Sequence, residues 1–501
     1  MANRYSRSQN MKRNIGYGLI EKAVILLTPF IINTIMVKKL GVEYGGLTNS
    51  LKSAVNILLV VHFGFESAVI SSMYVAFSAD DTETICAYAT FLKHTYHIIG
   101  WVLVLACAVF ISIPSTLFRS ELPVNIQACF LLFVSEGIIK CFGSGYLWAI
   151  PTADQRGDLL SIANAMTAIV RCIIQCAALT ALQNYYLYAA AIPIAAIWHN
   201  YAVYRKVMSD YPYLKTTEYS LDSCQKNELF KKIKGVFFSN LAGKTRNELD
   251  AICVSAFIGL TVAGIYGNYI QMFNGLNTIF YVIITAIVPS IGSGIAGETS
   301  DKNHNDMKHI ERIYIGISGF ITVCLLCLYQ PFMCMWMGQE LLLQDGEVFL
   351  LATYFYILRL GDIRAAYYQA AGLWYYGRHM AFVETVSNIV LNIILCRYLG
   401  VTGIIFATLI TVFFLNYLYC PIILYKCYFK NGKLALFYTD HIRYSIPVVI
   451  SAGVSWIICQ KIPNYDFSII GVVVWIAKGI VCGLIYAIFY ALCRRKQYAI
   501  D

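Results

Sequence analysis

The chain has 501 residues, 58% of them hydrophobic and only 13% charged, with a formal net charge of +10 and a mean hydropathy of +0.62. A soluble domain this apolar would lack the polar surface to cover itself, so the membrane is its solvent. The Lys and Arg residues lie in short segments between apolar runs rather than in one patch, which excludes a nucleic-acid partner and reads as topology signalling.

In chain order, Met1 to Arg13 has the basic start of a secretory signal, but the apolar stretch that follows is long, contains Glu21 and lacks a small-residue cleavage site, so the first helix is expected to be retained. Apolar runs of ~17 to 30 residues suit a hydrocarbon core of ~30 Å and predict about 14 transmembrane helices. The first run from Ile15 to Val37, Gly46 to Phe77, Ala87 to Ile113, Val124 to Trp148, Leu159 to Leu182 and Tyr185 to Tyr204. The next are Ile233 to Ile258, Val262 to Ile295, Ile310 to Leu328, Val348 to Leu373, Met380 to Tyr398 and Val401 to Tyr425, followed by Tyr444 to Cys459 and Ile469 to Leu492.

With the N-terminus inside, cytoplasmic segments collect Arg4, Arg7, Lys12 and Arg13, then Arg205, Lys206, Lys215, Lys226, Lys231, Lys232 and Lys234, and later Lys426, Lys430, Lys433, Arg494, Arg495 and Lys496. Outside remain Lys38, Lys39, Arg119, Arg397 and Lys461. That asymmetry follows the positive-inside rule when the span number is even and both termini are cytoplasmic.

The basic connection Arg205 to Lys234 divides two halves that show self-similarity at an offset of about 218 residues. Leu40-Gly41 aligns with Ile258-Gly259, Gly46-Leu47 with Gly264-Ile265, and Leu182 with Leu399. The expected fold is an all-α integral membrane protein: two six-helix lobes, related by a pseudo-twofold along the membrane normal, plus two extra C-terminal helices. The expected divisions are 1–206 for the first lobe, 207–232 for the cytoplasmic connection, 233–430 for the second lobe and 431–501 for the last helices and a cytoplasmic tail.

No G-x-x-x-x-G-K-[ST], H-E-x-x-H or G-x-S-x-G motif occurs, so neither ATP hydrolysis nor a hydrolase site is expected and uphill transport would need an ion gradient or the membrane potential. No cofactor or metal is expected. The 17 cysteines are scattered through apolar segments; Cys172 with Cys176, and the C-x-x-C of Cys324 and Cys327, read as core packing because buried Cys behaves as a small hydrophobe.

Arg171, Lys244, Arg246, Arg359 and Arg364 fall near the middles of predicted spans, where each basic residue costs ~2.5 to 3.5 kcal/mol on insertion scales, so they must face a polar interior. Glu136 with Lys140, Lys244 with Glu248, and Arg246 with Asp250 are four apart and able to pair on one helix face; Arg359 has Asp362 three residues on. Arg171 and Arg364 have no acidic residue at such spacing, and Lys52, nearer a helix end, is also locally unpaired. Arg171 and Arg364 therefore rank first as anion contacts, followed by Arg246, with Arg359 and Lys52 as further candidates. A partner acid on another helix is the competing reading for both leading arginines. Removing either one by Arg171→Ala or Arg364→Ala is expected to impair transport with insertion intact. Acidic residues in the spans are Glu21, Glu66, Glu136, Glu248, Asp250, Asp362 and Glu384; Glu21 and Asp250 open the two halves at comparable places and are the candidates for ion coupling by H+ or Na+. His62 with Glu66 reads as a structural pair.

Several segments together resemble a known family. They are Leu40-Gly41-Val42-Glu43-Tyr44, Gly64 through Ala68 with Ser72-Met73-Tyr74, Ala153-Asp154-Gln155-Arg156, Tyr211-Pro212-Tyr213-Leu214, and Ser255-Ala256-Phe257-Ile258-Gly259-Leu260. From about Lys12 to Lys430 the chain resembles Wzx-type polysaccharide flippases of the multidrug/oligosaccharidyl-lipid/polysaccharide exporter superfamily. The resemblance implies a central cationic cavity, alternating access and an undecaprenyl-pyrophosphate-linked oligosaccharide as cargo in a bacterial inner membrane, with membrane lipid, a glycan polymerase and a chain-length regulator as partners. Two positions depart from the family pattern: Glu66 stands where a small residue is expected, and Leu249-Asp250-Ala251 where Thr-Asp-Asn is expected. A small-molecule exporter of the same superfamily is the alternative, opposed by the mid-span arginines; a membrane glycan polymerase or acyltransferase is a further one, opposed by the short external loops.

Overall fold

A computed structural model of the chain describes residues 7–59, 65–118, 121–215, 219–430, 433–463 and 467–497, and among them every regular element is helical. In order these are α1 (Arg7–Lys39), α2 (Val42–Leu58), α3 (Phe65–Ser78), α4 (Thr82–Phe110), α5 (Ile113–Leu117), α6 (Ile126–Phe142), α7 (Ala149–Ala153), α8 (Gly157–Thr180), α9 (Tyr185–Asp210) and α10 (Ser223–Phe257). They continue with α11 (Leu260–Gly297), α12 (Ser300–Met337), α13 (Asp345–Leu360), α14 (Asp362–Ala370), α15 (Trp374–Thr411), α16 (Cys420–Leu424), α17 (Leu434–Gln460) and α18 (Ile469–Gln497).

Helix starts follow from capping chemistry. Asp81 accepts from the Thr84 amide at 3.0 Å, Asn125 from Ala128 at 3.0 Å, and Asp222 with Gln225 forms a reciprocal capping box, each satisfying amides the first turn leaves unpaired. Two helix ends about 218 residues apart are built alike. Gly41 (φ 107°) and Gly259 (φ 128°) lie in the positive-φ region, with their amides returning to the Met36 carbonyl at 3.2 Å and the Val254 carbonyl at 3.1 Å. Only glycine adopts such a backbone without strain.

Among the described residues, eight helices are long and apolar enough to cross a membrane, or nine if the pair Ile126–Phe142 and Gly145–Ala153, bent by 66°, is one span. The chain is a multi-pass membrane protein. Several expected spans are built differently. The run Gly46 to Phe77 is divided between α2 and α3, of 17 and 14 residues. Val348 to Leu373 is broken at Gly361 into α13 and α14. Met380 to Tyr398 and Val401 to Tyr425 are joined through a kink at Gly400 (φ 59°, ψ −134°) inside α15 and the π-helical turns after it. The expectation for Lys244 and the one for His62 concern side chains outside the described residues.

Two compact units divide at Gly264. In the first, α1 packs on α8, α8 on α9, α6 on α9 and α4, and α10 on α2 and α3. Its core includes Leu47, Leu51, Phe130, Tyr188 and Ile192. In the second, α12 packs on α13, α17 and α18, and aromatic contacts seat α11 on its neighbours: Phe273 stacks on Tyr354 at 5.0 Å and Phe280 meets Phe355 at 5.5 Å. Apolar side chains left outward, such as Val109 and Ile469, are suited to lipid.

Candidate functional site

In the first unit, four charged side chains from three helices gather in apolar surroundings. Glu136 and Lys140 project from one face of α6 and pair at 2.7 Å, as the four-residue spacing predicts. Arg171 on α8 reaches the other oxygen of Glu136 at 3.5 Å. Arg171 has no acidic residue at helical spacing on α8, as expected, and the competing reading of a partner acid on another helix is met by Glu136 on α6, which spacing along α8 cannot reveal. Lys52 on α2 interacts electrostatically with both Arg171 and Glu136, is exposed and makes no ion pair among the described residues. Two cations therefore contact one carboxylate, and a third lies within electrostatic range of it. Lys140, Arg171 and Glu136 keep 42%, 37% and 30% of their side-chain surface accessible, enough to meet a ligand.

In the second unit, Arg359, at the end of α13, bonds Asp362 at 2.9 Å and the Asn277 carbonyl oxygen of the side chain at 3.0 Å. Its guanidinium lies 5.0 Å from the centre of Phe280 and 5.2 Å from that of Phe355, a double cation–π contact. Asp362 opens α14 and accepts the Tyr314 hydroxyl at 2.5 Å. Arg364 donates to Asn416 at 2.6 Å and is only 3% exposed. Arg359 and Arg364 each keep a buried Nε without a hydrogen-bond partner. The break at Gly361 brings both arginines to one carboxylate, since Asp362 interacts with each. Arg364 is a buried, amide-bonded group, a different environment from half-exposed Arg171.

Glu21 on α1 is buried and accepts from Ser161 at 2.8 Å and Asn164 at 2.7 Å, both on α8. Asn164 continues to His199 on α9 at 3.2 Å, and the His199 ring lies against Trp148. The network gathers three helices around one carboxylate. Asp250 is buried on α10 and Arg246 is partly buried on the same helix; Glu248 accepts from Asn56 at 2.9 Å. Glu66 hydrogen-bonds with Tyr96.

Two of the motif segments meet at one end of the first unit. The Tyr211 hydroxyl donates to Asp154 at 2.7 Å and Arg156 reaches Asp210 at 3.5 Å, while Arg13 holds buried Asp158 at 2.7 Å. Burial and the Asp154 carboxylate push the Tyr211 phenol well above its ordinary ionisation. These residues latch α1, α8 and the end of α9 together.

The sequence reading omitted Glu311, buried on α12 and 3.4 Å from buried His441 on α17, with Tyr417 stacked on His441 at 5.7 Å. It also omitted the buried amides Asn388 and Asn392, which bond each other at 3.2 Å while Asn388 reaches Thr408 at 3.1 Å. An Asn pair four residues apart in an apolar run was the available signal for the second group. For the first, Glu311 sits at the edge of its run and its partner is 130 residues away.

No family model and no curated protein matches the chain. Solved structures do. The chain is similar to the lipid II flippase MurJ in an inward closed conformation, with a TM-score of 0.68 at 14% identity, covering 97% of this chain and 100% of that one. It is similar to an inward-facing multidrug resistance MATE family transporter of the MOP superfamily, with a TM-score of 0.61 at 13% identity over 83% of this chain and 96% of that one. A Vibrio cholerae MATE transporter, VcmN, gives a TM-score of 0.58 at 12% identity over 85% and 99%. At such identities the likeness concerns the fold, and the chain shares the all-helical, multi-span fold of these transporters.

Proposed function

We propose that the chain is a flippase, carrying an undecaprenyl-pyrophosphate-linked oligosaccharide repeat unit from the cytoplasmic to the outer leaflet of a bacterial inner membrane by alternating access. The observation that carries this reading is the group of Lys52, Lys140 and Arg171 around the single carboxylate of Glu136. Charges in apolar segments are costly and are retained where they face a ligand path. An excess of cations there suits a diphosphate, which accepts several charge-assisted hydrogen bonds from ammonium and guanidinium donors. Arg246, Arg359 and Arg364 are assigned as further contributors to the positive field. One structural neighbour is named for flipping lipid II, in keeping with a lipid-linked cargo.

Glu21 and Asp250 are assigned to coupling with H+ or Na+. The Ser161, Asn164 and His199 groups that surround Glu21 can exchange hydrogen-bond partners when the carboxylate gains or loses a charge. The topology proposed is the one expected: about 14 spans, both termini cytoplasmic, two six-helix lobes and two helices after them. The matched ends at Gly41 and Gly259 support the repeat. A glycan polymerase and a chain-length regulator would act on the exported unit.

Small-molecule export is the second reading, favoured by the MATE neighbours and opposed for cationic cargo by the same cation excess. Reconstitution in proteoliposomes separates them. A polyprenyl-pyrophosphate-linked oligosaccharide should become accessible to an impermeant sugar-modifying enzyme at a rate that depends on the protein. Protein-dependent efflux of a small solute without lipid-linked glycan movement would replace the flippase with an exporter.

A further inference from the structure

Three cysteines far apart in the sequence converge inside the second unit. Cys327 on α12, Cys459 near the end of α17 and Cys482 on α18 are all buried, and their Sγ atoms all lie within 4.8 Å of one another. Cys459 and Cys482 are 3.7 Å apart. The three helices pack pairwise, so the thiols stand on rigid elements rather than a loop. Val323, Val448 and Tyr486 belong to the same buried cluster. Lys478, one turn before Cys482 on the same face of α18, is 2% exposed and interacts electrostatically with all three thiols. Ser455, one turn before Cys459, is fully buried with a hydroxyl that has no hydrogen-bond partner.

We propose that Cys327, Cys459 and Cys482 form a site for a thiophilic divalent ion, zinc being the natural occupant, which fastens α17 and α18 to α12. Buried cysteines ordinarily pack as small hydrophobes, and two features separate this cluster from that behaviour. The first is spacing: sulfurs each ~2.3 Å from one tetrahedral zinc lie about 3.8 Å apart, close to the separation of Cys459 and Cys482. The second is charge. One divalent cation with three thiolates carries a single net negative charge, which the Lys478 ammonium balances, so the loaded site is neutral in an apolar interior where an unbalanced charge costs several kcal/mol. Loading releases the three S–H protons to water, and no electrons are transferred. A water at the fourth position, open in three-ligand zinc sites, can donate to or accept from Ser455.

The test is metal content and titration of the full-length protein purified in detergent under reducing conditions. Elemental analysis should give about one zinc per chain, and Cd2+ added to the chelator-stripped protein should produce a sulfur-to-cadmium charge-transfer band saturating at about one equivalent. Cys327→Ser, Cys459→Ser and Cys482→Ser should each weaken Cd2+ binding at least tenfold, whereas Cys396→Ser leaves it unchanged. Should a variant fail to fold, the stripped wild-type protein provides the readout, its Tm rising when Zn2+ is restored. A wild-type protein without the band and without the Tm response, a Cys459–Cys482 disulfide in non-reducing peptide mapping, or binding indifferent to all three substitutions would each overturn the assignment.

Discussion

Gly46 and Gly264 stand back to back, and neither leaves room for a side chain of its own. A β-carbon on Gly46 would lie 1.9 Å from the Leu260 carbonyl oxygen, and one on Gly264 would lie 2.3 Å from the Val42 carbonyl oxygen. Residues 42 and 260, like 46 and 264, lie about 218 positions apart, and Thr261 bonds Glu43 at 2.9 Å across the same interval. Because the obstacle is backbone, no rotamer change relieves it. Gly46→Ala and Gly264→Ala should each cost about 1 to 3 kcal/mol or more, read as a lower Tm of the purified protein. Gly16→Ala, with open space around it, should not.

Arg171→Ala should lower glycan export at least tenfold while the protein inserts and folds normally, because Glu136 keeps Lys140 at 2.7 Å. Lys52→Ala should act in the same direction, and the double variant should be worse than either. Export rate against protein level in the membrane checks this.

Arg364→Ala should behave otherwise. It empties a buried site and leaves Asn416 without its donor, at a cost of about 2 to 4 kcal/mol. Insertion should stay intact, as expected from the sequence, but loss of thermal stability should accompany loss of export, visible in size-exclusion profiles after mild heating.

Glu21→Gln should keep cargo binding but remove the dependence of transport on the proton or sodium gradient. Transport in proteoliposomes with and without each gradient shows it; a variant that responds to the gradient as the wild type does would remove Glu21 from the coupling assignment.

The Tyr211–Asp154 latch predicts alkaline sensitivity. A phenol held above its ordinary value of ~10 remains protonated in the folded chain after the unfolded chain has lost the proton, so its contribution is complete below pH ~10 and declines as the pH rises further. Tyr211→Phe should cost about 1.5 to 3 kcal/mol at neutral pH by loss of a hydrogen bond to a carboxylate, and the gap to wild type should narrow above pH ~10 in thermal unfolding across pH.

What the sequence made legible was local. Glu136 with Lys140 and Arg359 with Asp362 follow from helical spacing, and the polytopic, all-helical class follows from apolar runs. Contacts between helices were hidden: Arg171 and Glu136 are 35 residues apart, Glu21 and Asn164 are 143 apart, and the Cys327, Cys459 and Cys482 cluster spans three helices. The boundaries shifted where polar residues extend a helix past its apolar run, as α1 does from Arg7, or where a glycine breaks it, as Gly361 does. Tyr211 and Asp154 lay in segments singled out for their family resemblance, yet their bond became visible only in three dimensions.

The flippase reading is tested most directly by deleting this protein in its own host and probing sealed inverted vesicles with a sugar-directed reagent. The account predicts that lipid-linked repeat units accumulate on the cytoplasmic leaflet, and that re-expression of the wild type, but not of Arg171→Ala, clears them. Normal arrival of single repeat units at the outer leaflet without the protein would contradict it.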